Sequence, residues 1–134
     1  MRIFVADDSA MLRERMIRLL SELSGIEVVG QAQDALAAFD AICEAKPDIV
    51  TLDIDLIGGS GIDVLRKIKN KDRSTVVIML TNNSSPPYRR TCMDAGADFF
   101  FDKSTDFEKL KAILQVLIAA ANNTTAEAPV AYFE

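Results

Sequence analysis

Five residues are of types that do chemistry together: Asp7 and Asp8 in FVADDSA, Asp53 in IVTLDIDLIGG, Thr81 in VVIMLTN and Lys103 in FFFDKS. Each closes or directly follows a short run rich in β-branched or aromatic residues, the mark of a strand. If those strands lie side by side in one parallel sheet, the five side chains meet at its carboxyl edge, where open α/β sheets form their ligand sites. Three carboxylates crowded there repel one another unless a divalent cation is held between them, and an all-oxygen donor set suits magnesium. A carboxylate beside such an ion, with a hydroxyl and an ammonium to meet the equatorial oxygens, is suited to accept a phosphoryl group.

The elements that must position these groups follow from hydrophobic period. Strands are predicted at 2–7, 26–32, 48–53, 75–80 and 97–102. Between them run helices of 3.6-residue period, marked by Leu12, Met16, Leu19 and Leu23, by Leu36, Phe39 and Cys43, and by Ile62, Leu65 and Ile68. A fourth helix, 87–95, follows a cluster of breakers (Ser84, Ser85, Pro86, Pro87), and a fifth spans 106–121 on Phe107, Leu110, Leu114 and Leu117. Ser9 and Asp34 are suited to cap the first two helices, and Asp106 and Glu108 to the positive end of the last. Strand and helix alternate throughout, which predicts an α/β fold with helices on both faces of a parallel sheet. Residues 1–121 make one domain, and polar 122–134 reads as a C-terminal tail or truncated linker.

Composition removes several classes of function. With no histidine among its 134 residues, the chain has no Ser-His-Asp or Cys-His machinery and cannot be the histidine-bearing member of a phosphorelay. A net charge of −5 argues against direct nucleic-acid binding. No apolar run reaches the roughly 20 residues of a membrane span, and no leader pattern opens the chain, so a cytoplasmic location is expected. Cys43 and Cys92 are too far apart for a C-x-x-C site and read as small apolar residues.

The acidic pair, the aspartate of IVTLDIDLIGGSGIDVL, the threonine of VVIMLTN and the lysine of AGADFFFDKS, taken as an ordered set over residues 1–121, resemble the receiver domains of two-component response regulators. That resemblance implies a flavodoxin-like (βα)5 three-layer sandwich with strand order 2-1-3-4-5. It implies Asp53 as phosphoacceptor and Mg²⁺, with Mn²⁺ as a substitute, bound by Asp8 and Asp53 directly, by Asp7 through water and by the backbone carbonyl of Asp55. Thr81 and Lys103 would serve the phosphoryl group, Thr81 and Phe100 would form the switch, and Asp55, Asn82 and Asn83 would set the phosphoryl lifetime. The implied partners are a sensor histidine kinase or histidine phosphotransfer protein and a downstream effector or attached output domain. They would act through the face of the fourth helix, fifth strand and fifth helix, which also offers a homodimer surface.

The same resemblance implies a phosphoacceptor switch and not an enzyme. Taken singly, Thr81 is an ordinary strand-terminal hydroxyl, Lys103 a surface charge and the Phe99–Phe101 run core packing; joint placement carries the functional reading. Two rivals remain: a haloacid-dehalogenase-type phosphohydrolase using Asp53 and Asp55 as a D-x-D pair, and a receiver-fold binding module that needs no phosphorylation. The chain departs from the family pattern at Ile57, where proline is usual and its absence should free the backbone around Asp55. It departs also at Ser104, where proline is common; a trans peptide is expected there and Lys103 should be less firmly placed. Asn82 stands where a small residue is usual and should narrow access to Asp53. Gly58, Gly59 and Gly61 lack the pattern of a nucleotide-binding loop and are expected to form a flexible turn.

Overall fold

The computed structural model describes residues 1–82 and 85–122. Strands β1 (Arg2–Ala6), β2 (Glu27–Ala32), β3 (Ile49–Asp53), β4 (Val76–Thr81) and β5 (Phe99–Asp102) pair in parallel in the order β2-β1-β3-β4-β5. Helices α1 (Ala10–Ser21), α2 (Ala35–Ala45), α3 (Gly61–Lys71), α4 (Pro86–Asp94) and α5 (Phe107–Asn122) alternate with them. The expected doubly wound order is therefore present, and it reverses between β1 and β3, which sets a crevice at their carboxyl ends.

Period-two alternation sends each strand's side chains into two cores. Phe4, Val50, Leu52, Val77, Met79 and Phe100 pack on the side of α2, α3 and α4. Ile3, Val5, Ile49, Ile78 and Leu80 pack on the side of α1 and α5, against Met16, Leu20, Leu110 and Leu114. Helix starts follow the capping rule: Ser9 Oγ accepts from Leu12 N at 3.3 Å, Asp34 Oδ1 from Ala37 N at 2.9 Å, and Ser60 Oγ from Ile62 N at 3.1 Å.

Three expectations need correction. The inner stripe of α2 is Ala35, Ala38 and Ile42, whereas Leu36 is 69% exposed. Small residues on that stripe let the helix lie close to the sheet, and the apolar period fits either phase. Pro86 and Pro87 do not delay α4 but occupy its first turn, where a missing N–H costs nothing. The Gly58–Gly61 segment is a tight hairpin and not a flexible turn: Asp55–Leu56 pairs antiparallel with Gly59–Ser60. Gly58 turns its tip at φ +78°, a left-handed value that favours glycine. Of the tail, Asn122 extends α5, and residues 123–134 lie outside the described residues.

Candidate functional site

Asp7 follows the last residue of β1, its N–H donating to Ala32 O at 3.0 Å and so continuing the ladder to β2. Its carboxylate is doubly engaged: Oδ1 accepts from Ser9 N at 2.9 Å, and Oδ2 lies 2.5 Å from Lys103 Nζ. Asp53, the last residue of β3, presents Oδ2 to the same ammonium at 2.8 Å and Oδ1 to Asp55 N at 3.3 Å. Lys103 N donates to Thr81 O at 2.9 Å, so the pairing of β4 with β5 carries the lysine into the crevice. Asp7, Asp53, Thr81 and Lys103 are all buried, while Asp8 is exposed. The five residues singled out by type and spacing thus come to one edge of the sheet.

Charge at this edge does not balance. One oxygen from each of Asp7, Asp8 and Asp53 lies within 4.8 Å of the others, and Lys103 is the cation paired with two of them. Burial pushes the Asp53 carboxyl up to about 7, against the hydrogen bond and charge of Lys103, and the Asp7 charge adds to the rise. Burial also disfavours the ammonium, but hydrogen bonds from Lys103 to Asp53 and Asp7 outweigh it and hold its pKa above the ordinary value. Three carboxyl groups gathered beside one ammonium carry more acid than it can neutralise, and these oxygen donors fit a divalent cation that prefers oxygen.

The chain around Asp53 is held more tightly than expected. Gly61 opens α3 against the acceptor strand: a Cβ there would sit 1.8 Å from Asp53 O, and Gly61 N donates to Ile54 O at 2.6 Å. Ile57 N donates to Gln33 O and Ile57 O accepts from Ala35 N, both at 2.9 Å. The expected backbone freedom at Ile57 is therefore absent, because this N–H ties the hairpin to the loop between β2 and α2; proline has no N–H to give. Ser104 corrects a second expectation. Its peptide bond is trans as predicted, and its N–H and hydroxyl both donate to Asp102 Oδ1, while Asp102 N donates to Asp106 Oδ2 at 2.8 Å. Lys103 is thereby fixed without proline. The same bond from Asp102 N holds the Asp106 carboxyl below its ordinary value.

Phe100 is 4% exposed and packs in the cluster with Met79, Cys92 and Ala97. Its ring is inside, against the residues that α4 and β4 bury. Arg89, in α4, places its guanidinium 5.6 Å from the ring centroid. Phe99 and Phe101 face the other core, stacked 6.2 Å apart. Asn82 is exposed directly after Thr81, the Asp55 side chain is exposed, and Asn83 lies outside the described residues. Two residues escaped sequence reasoning. Gly61 carried a weak signal as a glycine in the first position after a serine cap, and Arg89 carried none.

The chain matches the response regulator receiver domain family over residues 3–115 and belongs to it. A protein-glutamate methylesterase/protein-glutamine glutaminase from Alkalilimnicola ehrlichii is 36% identical over 126 residues, covering 89% of this chain and 32% of that protein. The response regulator domain of CheB from Thermotoga maritima superposes with a TM-score of 0.77 at 30% identity, over 94% of this chain and 98% of that one. A complex of CheX and CheY with BeF3 and Mg²⁺ from Borrelia burgdorferi matches with a TM-score of 0.77 at 25% identity, over 88% of this chain and 87% of that one. The chain spans about a third to a half of the curated relatives it matches. It is a receiver domain of the two-component type, and neither rival reading finds support. No described helix is long and apolar enough to cross a membrane.

Proposed function

We propose that Asp53 accepts a phosphoryl group from a sensor histidine kinase or histidine phosphotransfer protein. The observation that carries this is the meeting of Asp7, Asp8 and Asp53 oxygens within 4.8 Å around the buried Lys103 pair. An Asp53 oxygen bonds to phosphorus as the donor's P–N bond breaks, or its P–O bond for a small acyl phosphate. The leaving group departs with the bonding electrons. Asp8 and Asp53 would hold Mg²⁺ directly, with Asp7 and the Asp55 carbonyl completing the protein's share; Mn²⁺ would serve as well. When bound, the ion offsets the negative charge that gathers on the phosphoryl oxygens.

Lys103 neutralises Asp53 before transfer and pairs with the phosphoryl group afterwards, while the Thr81 hydroxyl donates to one of its oxygens. That pull on the end of β4 is passed to α4 and Phe100, which changes the face presented by α4, β5 and α5 to an effector, an attached output domain or a second copy. Asp55, Asn82 and Asn83 would set the lifetime of the phosphorylated state. The domain would work as a switch in the cytoplasm. Support for the metal comes from the donor set and from the Borrelia complex, which contains Mg²⁺ and a beryllium fluoride group.

Incubation with Mg²⁺ and acetyl phosphate, read by intact mass, should give a single phosphoryl adduct in the wild type and none in Asp53→Ala. An adduct on Asp53→Ala would refute the assignment. Turnover of p-nitrophenyl phosphate without a stable adduct would restore the hydrolase reading. Asn82→Ala should speed both labelling and loss of label; unchanged rates would remove Asn82 from the site.

A further inference from the structure

The three carboxylates at the crevice are not held alike. Asp7 is bonded to Ser9 N and Lys103, and Asp53 to Asp55 N and Lys103, whereas no hydrogen bond or ion pair fixes the exposed Asp8 side chain among the described residues. Where Asp8 points is therefore set by the backbone that carries it. The peptide joining Asp7 to Asp8 is a rigid plane, so an anchor on its carbonyl oxygen fixes the direction in which the chain leaves toward Asp8.

That anchor comes from α1. Arg13 Nη1 donates to Asp7 O at 2.7 Å, and Arg13 Nε donates to Gln31 Oε1, on β2, at 3.2 Å. Two donors of one planar fork engaged at once leave the guanidinium little freedom. At its other end Asp7 N donates to Ala32 O at 3.0 Å, again on β2. Both backbone groups of Asp7 are thus tied to the neighbouring strand, one directly and one through Arg13 and Gln31. On the metal reading proposed above, we infer that Arg13, oriented by Gln31, is a positioning residue that aims Asp8 at a divalent cation.

Two effects of Arg13 on such an ion oppose one another. Its positive charge, one hydrogen bond from the backbone of Asp7, repels a cation, whereas its hold on the carbonyl fixes a ligand beforehand. Removing the side chain therefore tightens Mg²⁺ binding if charge dominates and weakens it if position dominates. The bond between Arg13 and Gln31 is exposed, so water and salt screen the charge, while nothing screens a misdirected ligand. Position dominates.

The test is Mg²⁺ titration of the full chain by isothermal calorimetry, with acetyl-phosphate labelling read by intact mass over the same Mg²⁺ range. Arg13→Met keeps the length of the side chain but drops both donors, and should raise the Kd about tenfold. Gln31→Leu changes no charge and should raise it by a smaller factor, about threefold. Arg18→Met removes the same charge from the last turn of α1, more than a turn further along the helix, and should shift the Kd by less than about twofold. At saturating Mg²⁺ all three variants should reach the wild-type adduct yield, because only the metal requirement has changed. Equal or tighter Mg²⁺ binding by Arg13→Met, no shift in Gln31→Leu, an equal shift in Arg18→Met, or a yield that stays low at saturation would each overturn the inference. A wild type that takes no Mg²⁺ would instead overturn the metal reading, and this inference with it.

Discussion

Helices α3 and α4 flank the same site and are built in opposite ways. α3 buries Gly61, Ile62, Val64, Leu65 and Ile68 along one face and backs directly onto Asp53. α4 buries Cys92 alone, starts on two prolines and follows Thr81. Burial of apolar area is the main source of local stability, so the first helix is an anchor and the second is loosely held. A phosphoacceptor has to stay aligned with its metal ligands, whereas the element that reports the event has to move at low cost. The contrast shows how one domain meets both demands: the dense flank lies on the nucleophile's side and the sparse flank on the side of the responding hydroxyl.

The largest effect that tests this contrast is Leu65→Ala. It empties a fully buried position of α3 and should cost about 2–5 kcal/mol in urea unfolding. Tyr88→Ala on exposed α4 should stay within about 0.5 kcal/mol; equal losses from the two would erase the distinction. Next in size is Gly61→Ala, where the added methyl meets the Asp53 carbonyl. We expect a loss of about 1–3 kcal/mol together with slower acetyl-phosphate labelling, and labelling at the wild-type rate would show that α3 does not position the acceptor.

A smaller effect depends on pH. The Asp53 carboxyl is raised to about 7 in the fold and sits near 3.8 when unfolded, so the native state binds the proton more tightly. Its contribution is then complete below about pH 4 and fades as pH rises through 7. Asp53→Asn removes that penalty. Without divalent metal, its stability relative to wild type should grow by about 1–2 kcal/mol between pH 4 and pH 8. A difference that is flat or shrinks with pH would contradict the burial argument. The smallest change expected is at Thr51, on the side of the sheet away from both helices. Its buried hydroxyl has no hydrogen-bond partner, and Thr51→Val should stabilise by up to about 1 kcal/mol without altering labelling. A loss of stability would mean that the hydroxyl is satisfied by water.

Much of the site was legible in order along the chain. Asp7, Asp53 and Lys103 are polar residues that end or follow apolar strands, and a parallel sheet admits few places where such residues can meet. The phase of α2 was not legible, because Leu36 and Ala35 both satisfy a helical period and only the distance to the sheet chooses between them. Ile57 and Ser104 were misjudged for a different reason. Each was compared with the proline it replaces, but what holds each one is a hydrogen bond that proline cannot donate, to Gln33 across a loop and to Asp102 within one.

What the residues alone determined is the alternation of strand and helix, the two-faced burial of the sheet and the set of charged groups at its carboxyl edge. These depend on period and on residue type, both of which are local properties. Only the tertiary structure decided that Lys103 is shared between Asp7 and Asp53, that Gly61 rests on the acceptor's own carbonyl, and that Arg89 of α4 lies over the Phe100 ring. Those outcomes depend on distances between segments far apart in the chain, and such distances are set by packing.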